Sequence, residues 1–261
     1  GFTSGIAITI LIGQIKDFFG LTFNEAPIET IDKVKEVVAC FGTINIEATI
    51  IGGVSLLILI VSPKFLKKIP ASLIAILVSA LLVKILDLNV LTIGDLYEIS
   101  SELPKPSIPS FSFDTVKAVI PDAVTIAVLA AVESLLSCVV ADGMIGSRHN
   151  SNMELIAQGA GNICSALFGG IPATGAIART AANVKNGGRT PVAGMVHAVV
   201  LLVVLLVAMP LASYIPMPAI AAILFMVAYN MSEWKKFVHI AKTAPKSDTI
   251  VMVVPSILTV V

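Results

Sequence analysis

The chain has 261 residues, 56% of them apolar and only 13% charged, and its 17 basic and 17 acidic side chains cancel at neutral pH. Together with a mean hydropathy of +0.96, this excludes an ordinary soluble domain and defines an all-α polytopic membrane protein whose first partner is the lipid bilayer. The three cysteines, Cys40, Cys138 and Cys164, show neither metal nor redox spacing and read as packing residues.

Residues 1–13 are too few for a span, which needs roughly 20. They lack the basic leader and cleavage site of a signal peptide, so they are expected to be the tail of a helix. Residues 14–45 form a polar connector. Within it, residues 27–40 set Ile31, Val34, Val37 and Val38 against Thr30, Asp32, Lys33, Lys35 and Glu36, the pattern of an amphipathic surface helix. Residues 46–61 are a second span, SPKFLKKIP is a basic turn, and residues 70–86 are a third span with Pro70 at its tolerated start. Residues 87–115, containing LPKPSIPSF, read as an extended external loop. A long fourth span, 116–141, is closed by a turn at Asp142 and Gly143. The fifth segment, 152–167, has Ser151 or Asn152 as its cap and Glu154 in its first turn.

Residues 172–184 come next, and at 1.5 Å each they reach only about 20 Å against a hydrocarbon core of about 30 Å. They are expected to form a half-helix. Residues 191–208 and 217–231 are further spans, 232–242 a basic interfacial helix, and 249 onward a ninth segment. Because that segment ends without a polar flank, the sequence is expected to be a piece of a longer protein. Alternating the spans gathers Lys64, Lys67, Lys68, Arg148, Lys185, Arg189, Lys235, Lys236, Lys242 and Lys246 on one side, which is cytoplasmic by the positive-inside rule. The parity requires the half-helix to start at the membrane midplane.

The stretch 130–191 carries the chemistry. It places Glu133 and Arg179 in apolar, small-residue helices, where an ionised group costs about 2.5 to 3.5 kcal/mol unless it meets a partner, a cavity or a transported ion. Between them FGGIPATG interrupts the hydrophobic run, the usual pointer to a transporter's binding site. The free N–H groups around Ala173 to Ala176 and the helix dipole favour an anion. Gly169, Gly170 and Gly175 let it approach, and Arg179 can lean back to offer a planar fork. The plainer alternative is a packing break with a lipid-snorkelling Arg179. Glu133, with Ser137 four residues on, suits carriage of a proton or, with backbone carbonyls, of a sodium ion. Its plainer alternative is a structural partner for Arg179. His149, His197 and His239 have no ligand spacing, so neither a metal nor another cofactor is expected. The run LIAQGAGN lies in an apolar segment without a following Lys and carries no nucleotide signal. No nucleophile and base share a recognisable spacing, so the chain does not read as an enzyme, and nucleic acid is not an expected partner.

The run from ESLLSCVVADGMIGSRHNSNMELIAQGAGN through FGGIPATGAIARTAANVKNGGRTPVAGMVHAV to PLASYIPMPAIAAILFMVAYNM resembles the SulP family of sulfate permeases and related anion transporters. The resemblance implies a 7+7 inverted-repeat transporter fold with core and gate domains, of which segments five to thirteen are present. It makes 1–86 gate helices, 87–115 an external loop, 116–209 core helices with the half-helix 172–184, and 210–261 further gate helices. Carried over by position, the anion site falls on Pro172, Ala173, Thr174, Gly175, Ala176 and Arg179, and the ion-coupling carboxylate on Glu133. Ser137 matches a position that serves sodium in bicarbonate-carrying members, which however have other residues in place of PATGAIAR. The implied function is secondary active anion transport by alternating access in the plasma or inner membrane. Sulfate comes first, with bicarbonate or a dicarboxylate as alternatives, and the coupling ion is a proton or else sodium. A channel or uniporter on the same fold is the other reading. The facing half-helix, the last segment and the cytoplasmic STAS domain of the family lie outside this sequence, so the chain alone is not expected to transport. A homodimer would form through those outside parts.

Overall fold

The computed structural model describes residues 2–66, 69–98, 102–108, 112–232 and 234–260. Among them every regular element is a helix, apart from one isolated antiparallel bridge. In chain order these are α1 (Phe2–Phe19), α2 (Thr30–Ala39), α3 (Ile46–Phe65), α4 (Ala71–Ile85), the single turn α5 (Ile93–Leu96), α6 (Phe113–Ile145), α7 (Ser151–Leu167) and α8 (Ile177–Lys185). There follow α9 (Val192–Val203), a π turn (Val204–Ala208), α10 (Met209–Ala212), α11 (Met217–Ser232), α12 (Trp234–Thr243) and α13 (Lys246–Val260). Three of these, α3, α6 and the continuous run Val192–Ala212, are long and apolar enough to cross a membrane. The π turn has a local cause: Pro210 lacks an N–H and its ring crowds the carbonyl four residues back.

Several boundaries differ from expectation. α1 continues through Gly13 to Phe19, and α3 carries Pro63 inside its last turn instead of stopping at Val61. The stretch 87–115 is not one extended loop. It holds α5, whose capping box joins Thr92 and Asp95, and its last residues already belong to α6. Lys67 and Lys68 of the basic turn, and residues 109–111 of the proline-rich stretch, lie outside the described residues.

The chain divides into two compact units, Gly1–Ser100 with Met209–Val261, and Ser101–Ala208. In the first unit α1 packs on α11 and α13, and α3 packs on α4 and α11. The contacts are made by small residues, as membrane helices require for close approach. Ala7, Ala75, Ala221 and Ala222 are fully buried. A side chain at Gly5 would start 2.7 Å from the Ser256 carbonyl oxygen of α13, and one at Gly52 would start 2.8 Å from the Phe18 ring. Phe18 in turn lies 5.0 Å from Phe225, ring centre to ring centre. The buried hydroxyls of Ser55 and Ser79 donate to the Ile51 and Ala75 carbonyls at 2.8 and 2.6 Å, so neither is left unsatisfied. Ahead of α5 and α11 the chain pairs with itself: Ile93 N–H donates to Ile215 O, and Met217 N–H to Leu91 O, both at 2.9 Å.

The second unit is built on α6, 33 residues and so about 50 Å long. Ser112 caps it by accepting from Thr115 N–H at 3.2 Å. The helix does not turn at Asp142 and Gly143 but runs to Ile145, where Gly146 takes the left-handed conformation at φ 76°. The Asp142 carboxylate then gathers the connection to α7, accepting from the Ser147 hydroxyl at 3.0 Å and His149 N–H at 2.9 Å, with the His149 Nδ1 at 2.8 Å. Asn150, rather than Ser151 or Asn152, caps α7, its side chain accepting from Met153 N–H at 3.2 Å. After α7, Gly169 at φ 73° reverses the chain, and residues 171–176 return without regular structure, extended at Ala176, before α8 begins.

Candidate functional site

The expected half-helix over 172–184 is observed as α8, Ile177–Lys185, nine residues or about 13 Å. Pro172 does not open the helix. The reason is that the Ile171 carbonyl and both backbone groups of Ala173 are met by side chains of α7 rather than by a helical turn of their own. Asn162 of α7 donates from Nδ2 to Ala173 O at 2.9 Å and accepts Ala173 N–H on Oδ1 at 2.8 Å. Gln158 reaches the same carbonyl at 3.5 Å, and the Ser165 hydroxyl donates to Ile171 O at 3.2 Å. Thr174 is tied to the other neighbour, its hydroxyl donating to Ala130 O of α6 at 2.8 Å. Non-helical backbone at membrane depth is tolerated where protein groups meet its polar atoms or where it lines a water-filled cavity.

This moves the free donors. Ala173 N–H is occupied by Asn162, and because the helix begins later than expected the free donors extend into the first turn of α8. Thr180 N–H donates to Ala176 O at 2.9 Å as the first intrahelical bond. That leaves the N–H groups of Ile177, Ala178 and Arg179 without helical acceptors. Ala176 stands at the N-cap in extended conformation without a side-chain cap, and the first turn has no acidic residue. The positive end of the α8 dipole is therefore open. Arg179 lies within that first turn, closer to the helix start than expected, and is exposed.

Gly175 sets the distance between α8 and α6. A β-carbon there would lie 3.4 Å from the Ser137 hydroxyl oxygen and 3.5 Å from Ser134 Cα. Ser137 is 4% exposed and its hydroxyl has no hydrogen-bond partner among the described residues, whereas Glu133, one turn earlier, is exposed on the surface of the unit. Among the described residues the ion pairs are Lys35 with Asp32 and His149 with Asp142, so Glu133 and Arg179 are not joined by one. The structure thus brings Thr174, Gly175 and Ser137 together, while Pro172 and Ala173 belong to the extended lead-in.

Sequence reasoning missed the residues on α7 that hold the lead-in. Glu154, Gln158 and Asn162 recur every four residues, with Ser165 three further, and form a polar stripe on an otherwise apolar helix. Glu154 extends it to α6 by accepting from the buried Ser134 hydroxyl at 2.7 Å. The spacing was visible in MELIAQGAGNICS. Its meaning depends on what lies opposite, which the spacing alone does not give.

An all-helical, multi-pass membrane protein with a helix interrupted by extended backbone is the class that this fold and site define. The sequence pattern of the sulfate permease family matches residues 1–255, and the chain belongs to that family. A Bacillus subtilis (strain 168) protein, YvdB, provisionally named a sulfate transporter, is 44% identical over 262 residues, covering 100% of this chain and 49% of the relative. The bicarbonate transporter BicA of Synechocystis is 35% identical over 238 residues, 90% of this chain and 41% of its own length. The chain thus spans about half the length of the curated relatives it matches. Its fold superposes on the transmembrane domain of a cyanobacterial BicA with a TM-score of 0.83 at 32% identity, over 100% of this chain and 65% of that one. On the murine anion transporter Slc26a9 the TM-score is 0.84, over 100% of this chain and 43% of that one, and the 22% identity makes this a likeness of fold alone. The expected all-α, 7+7 inverted-repeat fold is the fold found.

Proposed function

We propose that the chain is part of the transport domain of a secondary active anion transporter that works by alternating access and couples the anion to a proton. The unit Ser101–Ala208 is the anion-carrying core, and Gly1–Ser100 with Met209–Val261 is the gate. The observation that carries this reading is the uncapped start of α8, reached by extended backbone and pressed against α6 at Gly175. The N–H groups of Ile177 to Arg179 and the Arg179 guanidinium receive the anion, a donor set suited to an oxyanion. Glu133, held by no ion pair among the described residues, takes up the coupling proton. The relative at 44% identity favours sulfate as the anion.

A second reading, a sodium-coupled bicarbonate carrier, is favoured by the partnerless Ser137 hydroxyl beside Gly175 and by the similarity to BicA. The test of the site is Arg179→Ala in the full-length parent, with sulfate and bicarbonate binding measured by calorimetry in detergent. A loss of about tenfold or more is expected from removing a charged hydrogen-bonding partner. Unchanged affinity for both anions in a monodisperse variant rejects the site.

A further inference from the structure

We propose that Asn162 is a positioning residue for the anion site, holding the Ala173 peptide by its N–H and its C=O at once and thereby setting where α8 begins. This rests on reading the start of α8 as that site. A carboxamide carries one acceptor and a donor group side by side, which matches the N–H and C=O of a single extended residue. Both bonds are of good length, 2.9 and 2.8 Å, while the Gln158 contact to the same carbonyl, at 3.5 Å, is at the limit of a hydrogen bond.

Among the described residues no strand lies beside this segment, so the backbone groups of Ala173 depend on side chains from α7. Asn162 supplies both halves for Ala173. Four residues further on, at Ile177, α8 starts, and between the two points Thr174 is fixed to Ala130 of α6. The free N–H groups of Ile177, Ala178 and Arg179 are thus located by a short tether anchored to α7 at one residue and to α6 at the next. Loss of the Asn162 clamp lets Ala173 turn, and either form of release moves those donors: the helix winds back toward Pro172, or the tether slackens. Asn162 acts on the site through Ala173, to which its Oδ1 and one Nδ2–H are committed.

The experiment uses the full-length parent with Asn162→Ala, Asn162→Asp, Gln158→Ala and Arg179→Ala. Calorimetric binding and proteoliposome uptake are measured with inorganic sulfate and with bicarbonate, and thermal unfolding is followed without anion. Asn162→Ala is expected to raise Kd and KM by about tenfold or more, with kcat changed by about threefold at most and unfolding close to the parent's. Gln158→Ala should have a smaller effect on KM. Asn162→Asp is nearly isosteric and keeps the test open should the alanine variant not fold. Its carboxylate accepts from Ala173 N–H but offers nothing to the carbonyl, so affinity falls at neutral pH. As the carboxyl gains a proton at lower pH it regains a donor, and its affinity relative to the parent's at the same pH should recover. A general packing role would not produce that recovery. Parent-like affinity of folded Asn162→Ala for both anions, or an Asn162→Asp deficit that ignores pH, overturns the proposal when Arg179→Ala is impaired. If Arg179→Ala also binds normally, the site assignment itself fails and the clamp's role falls with it.

Discussion

Replacing Gly175 by alanine and by valine separates two consequences of one contact. The alanine β-carbon would lie 3.4 Å from the Ser137 hydroxyl and 3.5 Å from both Ser134 Cα and Ser137 Cβ, which is ordinary van der Waals contact. The fold should accept it, helped by the roughly 0.4 to 1 kcal/mol that Gly→Ala contributes through the unfolded chain where the backbone permits. Valine adds two methyl groups about 1.5 Å beyond that β-carbon, and one of them must enter the space of the α6 backbone or of Ser137. Overpacking of this kind costs about 1 to 3 kcal/mol. Relief by moving the lead-in away from α6 lengthens the 2.8 Å bond from Thr174 to Ala130 and carries the start of α8 with it. Anion affinity of the full-length parent, measured by calorimetry for sulfate and bicarbonate, should fall about two- to threefold at most for Gly175→Ala and about 5- to 150-fold for Gly175→Val, with uptake lost in the latter. A folded Gly175→Val that binds like Gly175→Ala would refute the assignment of close approach between α6 and α8 as a condition of binding.

Glu133→Gln removes the charge while keeping hydrogen-bonding capacity, so the full-length variant should still bind and exchange anion across proteoliposome membranes but fail to accumulate it against a gradient when a pH difference is imposed; accumulation at the parent's level would leave Glu133 without a coupling role. Away from the membrane spans, Glu36 of α2 accepts from Asn24 N–H at 2.8 Å, and this bond, followed by the Cys40 thiol, holds its carboxyl below the ordinary carboxylate range. A lowered folded value means that the contact contributes fully above the ordinary carboxylate pKa and is lost as pH falls through the lowered value. Amide exchange at Asn24 and Glu25 should therefore be protected at neutral pH and, after correction for the intrinsic pH dependence of exchange, lose protection in acid. Glu36→Gln, which has no carboxyl to titrate, should remove the pH dependence of that protection, and pH-independent protection in the parent would count against the contact.

What could be read from the sequence was what depends on neighbours along the chain. Long apolar runs gave α3 and α6, and the alternation of Ile31, Val34 and Val38 with charged residues gave α2 close to its observed extent. The break between α7 and α8 was legible from its glycines and proline, but its detail was not. Pro172 fits a helix start by local preference, and only the opposing Asn162 and Thr174 contacts explain why the helix waits until Ile177. The same limit applied to the cap of α7. Asn150, Ser151 and Asn152 are all good caps, and the Asp142 carboxylate, which fixes His149 just before, decides among them.

The clamps around the lead-in also differ in how far they reach along the chain. Asn162 meets Ala173 across 11 residues and Ser165 meets Ile171 across 6, whereas Thr174 reaches Ala130 across 44. Closing a short loop costs less chain entropy than closing a long one, and it can happen as soon as both ends exist. For 11 against 44 residues the difference is roughly 1 kcal/mol, so the contacts that hold the lead-in to α7 are local and lightly taxed, while the Thr174 contact to α6 carries the larger share of the closure cost.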